Sequence, residues 1–206
     1  MGFIVNDPTF YQELKWSVVS AFKKLGYIKI PVDPSELLEA HGIQSLAYQS
    51  IYDSSSLHDL VMLCRCPSGF SFTLTTRGGC QRFVACNLQE SPGRVRFTKL
   101  HEAGHLLRGH VQGSETAEIE ANFWAKYSIA PPVLVETLGL SSVEEIAQRF
   151  GISTECASHI MSQHSNWLRH RQDDKDIDDA ILELYHNGLL LERRNDEQTE
   201  LTQIMK

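Results

Sequence analysis

The sequence predicts an α+β fold in which a small, mainly antiparallel sheet precedes a central helix and a helical part follows it. Between residues 43 and 88, short apolar or alternating runs are separated by turns rich in Gly, Ser and Pro, which is typical of strands. From residue 97 onward, apolar residues recur instead at helical spacing. With 206 residues, 42% of them hydrophobic, the chain is long enough for a buried core and ordinary for a globular protein.

The first predicted element is a helix that begins at Asp7 and Pro8, an N-cap and first-turn pair, and ends before Gly26. A short helix is expected at 35–40. Strands are expected at 43–51, 60–66, 70–75 and 82–88, because these stretches are apolar or alternate and end at turn residues. The predicted sheet therefore lies directly ahead of the central helix.

Residues 101–105, His-Glu-Ala-Gly-His, form an H-E-x-x-H motif on that helix. Since each helical residue turns by about 100°, His101 and His105 leave the same face and Glu102 flanks them. Two neutral imidazoles can hold Zn²⁺ and leave room for a third ligand and a water, whose proton a neighbouring glutamate can take. The alternative is a surface helix that happens to carry two histidines. Gly104, a poor residue for an exposed helix, indicates close packing and favours the metal site.

A third ligand is expected from the next helix, where Glu115, Glu118 and Glu120 are the candidates. This stretch is helix-like until Pro131 and Pro132 stop it. A carboxylate from it would complete a His₂Glu set, which is an accepted catalytic zinc site. The residues alone leave open which of the three glutamates is used.

Two motifs carry a family resemblance. They are Phe97-Thr98 ahead of His101-Glu102-x-Gly104-His105, and Glu118-x-Glu120-Ala121-Asn122-x-Trp124-Ala125 followed by Pro131. Together they resemble the ImmA/IrrE family of metallo-endopeptidases, although Trp124 stands where that family usually has Phe. Weaker similarity extends from about residue 29 to residue 167.

The resemblance implies a zincin-like fold and one Zn²⁺ per chain. It also implies His101, His105 and Glu120 as the metal ligands and Glu102 as the catalytic general base. Family members typically cleave a helix-turn-helix repressor and thereby relieve repression of a mobile element or of stress genes. The resemblance therefore predicts a zinc-dependent endopeptidase acting on a protein substrate, with a repressor as the expected partner.

The surroundings of the site allow further expectations. The strand at 82–88 is expected beside the cleft, either as a free edge that accepts substrate or as a fully paired internal strand. On a continuing helix, His110 would point about 180° away from His101, so we expect it to act at the helix end, where Gly109 can break the helix. The oxyanion of the reaction could be stabilised by His110, Tyr127 or His159.

The chain is predicted to divide into a metallopeptidase domain at 1–135 and a helical extension at 136–206. Within the extension, 141–169 resembles a helix-turn-helix pair, and 173–206 forms an acidic helix that loosens after residue 191. DNA binding needs a basic recognition face, but the second helix of the pair has no Lys or Arg before Arg169. A protein contact or a packing role is therefore favoured.

The composition indicates which class of partner and which cellular compartment to expect. The net charge of −7 argues against nucleic-acid binding, and no stretch suits a signal peptide or a membrane span. Five cysteines without a familiar spacing fit free thiols in the cytoplasm, with a second metal near Cys64, Cys66, Cys80 and Cys86 as the alternative. Two other functions stay open: a zinc-stabilised, non-catalytic protein that sequesters a regulator, and a DNA-binding regulator.

Overall fold

The computed structural model describes residues 8–52, 65–111 and 113–204. In chain order the elements are α1 (Pro8–Leu25), α2 (Pro34–Ala40), β1 (Ile43–Ala47), α3 (Tyr48–Tyr52), β2 (Gly69–Thr76), β3 (Gly79–Cys86), α4 (Pro92–Arg108), α5 (Glu115–Ile129), α6 (Pro132–Thr137), α7 (Val143–Phe150), α8 (Thr154–His170) and α9 (Lys175–Ile204). The predicted α+β class, with the sheet ahead of the central helix and helices after it, is confirmed. Within the described residues, no helix is long and apolar enough to cross a membrane.

The sheet is mixed, whereas a mainly antiparallel sheet was expected. Its order is β1-β3-β2, with β3 parallel to β1 and antiparallel to β2. Of the two roles left open for the strand at 82–88, the structure shows the fully paired internal strand and not the free edge, because β3 is paired on both sides. Its last four residues, Phe83 to Cys86, are all buried, as a central strand requires. Among the described residues β2 pairs with β3 alone, so β2, like β1, is an edge strand of the described sheet.

Other element boundaries differ from the sequence predictions. The strand predicted at 43–51 ends at Ala47, where the chain enters α3. Most of the strand predicted at 60–66 lies outside the described residues, and the two described residues of this stretch, 65 and 66, are not in a strand. Asp7, the predicted N-cap of the first helix, also lies outside the described residues. The stretch expected to loosen after residue 191 is instead helical up to Ile204.

One hydrophobic core joins the helices. Its fully buried members include Phe22 of α1, Leu100 of α4, Trp124 of α5, Phe150 of α7, Ile160 of α8 and Ile181 of α9. Buried side chains from both predicted units pack in this core, and the division at residue 135 stays a prediction.

Close packing between α4 and α5 places the two helices that matter for the site. A Cβ atom added at Gly104 would lie 3.3 Å from Cβ of Trp124 and 3.4 Å from Cα of Ala121. The backbones can approach this closely because Gly104 has no side chain. The tight packing predicted at this glycine is therefore confirmed.

The helical pair packs against the start of α4. Ser142 and Glu145 form the capping box that begins α7, and Gly151 turns the chain into α8. The Arg96 side chain of α4 donates hydrogen bonds to the carbonyl of Val32, at 2.9 Å, and to the carbonyl of Gly151. The turn between α7 and α8 is thereby fastened to the helix that carries the H-E-x-x-H motif.

Candidate metal centre and active-site cleft

Helix α4 presents both motif histidines on one face, as the helical period predicts. The Nε2 atoms of His101 and His105 lie 3.1 Å apart. From α5, Glu118 places one carboxylate oxygen 3.4 Å from Nε2 of His101 and the other 3.4 Å from Nε2 of His105. These three side chains form a group whose donor atoms could hold one metal ion.

Two imidazoles and a carboxylate are a donor set that suits zinc. Tetrahedral ligands at about 2.0–2.1 Å from Zn²⁺ stand roughly 3.3–3.4 Å from one another. The two imidazole nitrogens, 3.1 Å apart, lie close to that value, and each has a different Glu118 oxygen at 3.4 Å. The His101 and His105 side chains are 14% and 13% exposed and that of Glu118 is 54% exposed, so the centre borders solvent on the glutamate side. A fourth corner would remain for water or substrate.

Glu120, expected as the third ligand, is not brought to the histidines. Its Oε2 accepts a hydrogen bond from Nε of Arg108 at 2.9 Å and lies 3.2 Å from Nε2 of His110. Side chains two residues apart on a helix point about 200° apart, so Glu118 and Glu120 cannot both face the same partner. The structure therefore brings Glu118, one of the three glutamates that the sequence left open, to the histidines in place of Glu120.

Both histidines are held in the form that binds metal. Burial lowers the pKa of His101, against the opposing influence of Glu118 and of the adjacent Asn122 side chain. Burial, reinforced by His101, lowers the pKa of His105 to about 4. Neutral imidazoles keep a lone pair free for a metal at ordinary pH. Asn122 was not singled out from the sequence, although its spacing of four residues from Glu118 places both on one side of α5.

Glu102 lies in a cleft of about 620 Å³ whose lining also includes His101, His105 and Glu118. It is only 8% exposed, and burial raises the pKa of its carboxyl group, while contacts with Ser71 of β2 partly oppose that rise. A raised pKa makes the carboxylate a better proton acceptor. Residues 66–71, at the start of β2, form another part of the lining. Ser71 carried no sequence signal, because its role depends on which strand is the edge.

Of the three candidates for stabilising an oxyanion, only His110 lines this cleft. Tyr127 is buried and lines a different groove, and His159 is exposed on α8. The prediction that Gly109 ends the helix is confirmed, because α4 ends at Arg108, and His110 therefore does not take the direction away from His101 that a continuing helix would give it. Gly109 adopts a left-handed conformation, with φ of 73°, and folds the chain back so that His110 N–H donates to the carbonyl of His105 at 2.9 Å.

Sequence comparison agrees with this geometry. Residues 68–162 match the family described as Peptidase_M78, IrrE N-terminal-like domain. The matched stretch contains β2, both helices of the centre and α7, and it ends within α8. Comparison with curated proteins and with solved structures gave no match. The resemblance read from the two motifs is thus confirmed: residues 68–162 are an IrrE N-terminal-like domain, as in the ImmA/IrrE family of metallopeptidases.

Proposed function

We propose that the protein is a zinc-dependent endopeptidase that hydrolyses a peptide bond within a protein substrate. The observation that carries the proposal is that His101, His105 and Glu118 come together with ligand atoms within 4.8 Å of one another, a His₂Glu set of the kind that holds catalytic zinc. Zn²⁺ held there would supply Lewis acidity, which polarises the scissile carbonyl and acidifies water. The family match, whose range includes these residues, supports a peptidase function.

Glu102 would act as the general base. It is adjacent to His101 in sequence, lies in the same cleft, and has no place among the three ligand atoms. Its carboxylate would take a proton from the attacking water and pass it to the leaving amide nitrogen. The contacts with Ser71 would hold the carboxylate against β2 while it does so.

The edge strand offers a way to hold the substrate. Residues 69–71 of β2 line the cleft, and within the described residues β2 has a β-partner on one side only. An extended substrate segment could pair with the other side through main-chain hydrogen bonds. Such pairing needs no chain terminus, which supports cleavage within a chain.

For the substrate we propose a helix-turn-helix repressor, whose cleavage in the cytoplasm would relieve repression. This part of the proposal rests on the family resemblance. A role for residues 141–169 in holding that protein partner is favoured over DNA binding, because α8 has no Lys or Arg before Arg169. A gene for a small repressor next to this one would supply the substrate to test first.

The test compares Glu102→Gln with wild type in cleavage of that repressor. The substitution keeps size and hydrogen bonding but removes the base, so turnover should fall by about 10²–10⁴-fold. Zinc content should not change, because Glu102 is not a ligand. Glu115→Gln, an exposed change at the start of α5, is the matched control and should cleave normally.

The same assay separates the two other functions. If the repressor leaves its operator without being cut, equally with wild type and Glu102→Gln, the protein sequesters its partner and the peptidase proposal is wrong. Tight, salt-sensitive binding of duplex DNA by the protein alone would favour the DNA-binding regulator.

A further inference from the structure

The second ring nitrogen of His105 belongs to a line of four side chains. Its Nδ1 lies 3.0 Å from Nδ1 of His110. The other nitrogen of His110, Nε2, lies 3.2 Å from Oε2 of Glu120, and Nε of Arg108 donates to that same oxygen at 2.9 Å. The side chains of His110 and Glu120 are 14% and 13% exposed, so the line is mostly shielded from water.

The direction of each hydrogen bond follows from the metal site. If Nε2 of His105 keeps its lone pair for zinc, the ring's proton sits on Nδ1 and is donated to Nδ1 of His110. His110 then carries its own proton on Nε2 and donates it to Glu120. Arg108 donates to the same carboxylate and balances its charge. Every donor along the line thus meets an acceptor.

The other motif histidine lacks such support. Nδ1 of His101 is buried and makes no hydrogen bond within the described structure, although the Asn122 side chain is near enough to influence its pKa. Of the two histidines, His105 is therefore the one whose ring is oriented through its second nitrogen. The left-handed Gly109 is what returns His110 to it.

We propose that His110, held in turn by Glu120 and Arg108, is a positioning residue that fixes the tautomer and ring orientation of His105 and thereby sets the affinity for zinc. This inference rests on the proposed metal site. When a histidine binds a metal through one ring nitrogen, removing the hydrogen-bond partner of its other ring nitrogen typically lowers metal affinity by about 10–100-fold. It also gives Glu120 a role that does not require contact with the metal.

The experiment measures zinc affinity and zinc release of the full chain by competition with a chromogenic chelator. His110→Phe keeps a ring but removes both nitrogens, and should weaken affinity by about 10–100-fold. His110→Asn can still present an oxygen to the Nδ1 proton of His105, and should recover most of the loss. His159→Phe, a change of the same kind at an exposed histidine on α8, is the control and should bind zinc like wild type.

Two readouts separate positioning from a general structural effect. Thermal unfolding of the metal-free proteins should be the same for wild type and His110→Asn. Nitrogen-15 NMR of the zinc form should show a protonated Nδ1 on His105 whose proton exchanges faster with solvent in His110→Phe.

Three outcomes would overturn the inference. Unchanged zinc affinity in His110→Phe, with affinity lost in Glu118→Ala, would reject His110 while leaving the metal site and the proposed function intact. Equal losses in His110→Phe and His110→Asn would reject the hydrogen bond to His105. A wild-type protein without tight zinc binding would overturn this inference and the metal site together.

Discussion

Replacing Glu118 tests the metal centre most directly. In Glu118→Ala the carboxylate oxygens that lie 3.4 Å from the two histidine nitrogens are removed, and two imidazoles remain. The Glu118 side chain is 54% exposed and faces the cleft, so its loss should leave the core intact. We therefore expect a change in metal affinity without a comparable change in folding.

The size of that change follows from the number of ligands. Structural zinc sites with four protein ligands bind with about 10–16 kcal/mol, or roughly 2.5–4 kcal/mol per ligand. Loss of one of the three ligands here should then weaken binding by about 10²–10³-fold, since each 1.4 kcal/mol is about tenfold. Glu120→Ala, which disturbs only the support of His110, should cost less, about tenfold.

The assay is zinc content after gel filtration, followed by chelator competition for the dissociation constant. Glu115→Ala, on the first turn of the same helix and exposed, is the control and should retain near-equimolar zinc. The reasoning fails if Glu118→Ala keeps zinc with nearly wild-type affinity, or if Glu120→Ala loses more than Glu118→Ala. The second result would return the ligand assignment to Glu120.

Two further predictions concern stability. Burial raises the pKa of Asp178 from 3.8 to about 7, so the stability this carboxyl contributes is present below about pH 4 and lost as the pH rises through 7. Asp178→Asn, which can still accept the Trp167 hydrogen bond, should therefore raise the unfolding temperature at pH 8 but not at pH 4; equal effects would contradict this. Gly188→Ala should lower the unfolding temperature, because a Cβ atom there would overlap the carbonyl oxygen of Ile28. This overpacking costs about 1–3 kcal/mol or more, which exceeds the roughly 1 kcal/mol that alanine gains over glycine in a helix. Glu183→Ala, exposed on α9, should not destabilise, and a Gly188→Ala protein as stable as this control would refute the close approach.

The motif residues were predictable because they depend on one helix alone. Once residues 101–105 are helical, the 3.6-residue period fixes where His101, Glu102 and His105 point. The choice between Glu118 and Glu120 depends instead on which face of α5 meets α4. That face is set by the packing of Gly104 against Trp124, a tertiary contact that no local pattern specifies.

Two other features were predicted only in part. The helix end at Gly109 was predicted, but the direction in which its left-handed conformation returns His110 to His105 was not. For the strand at 82–88 an edge role and a fully paired role were left open, and the continuous apolar run Phe83 to Cys86, typical of a strand buried on both faces, fits the paired one. The edge position of β2 follows from the pairing order, which the sequence pattern does not contain.

The edge strand has a consequence for solubility. Proteins usually protect such edges with charged residues or proline, because exposed main-chain groups recruit strands from neighbouring molecules. The eight residues of β2, Gly-Phe-Ser-Phe-Thr-Leu-Thr-Thr, include neither, and Leu74 is 49% exposed. In the proposed mode of binding, β2 has to stay open along the cleft, and the same uncharged edge that would align a substrate also favours aggregation at high concentration. Its outer half, Thr73 to Thr76, lies outside the cleft lining, and a charge could be introduced there without obstructing the site.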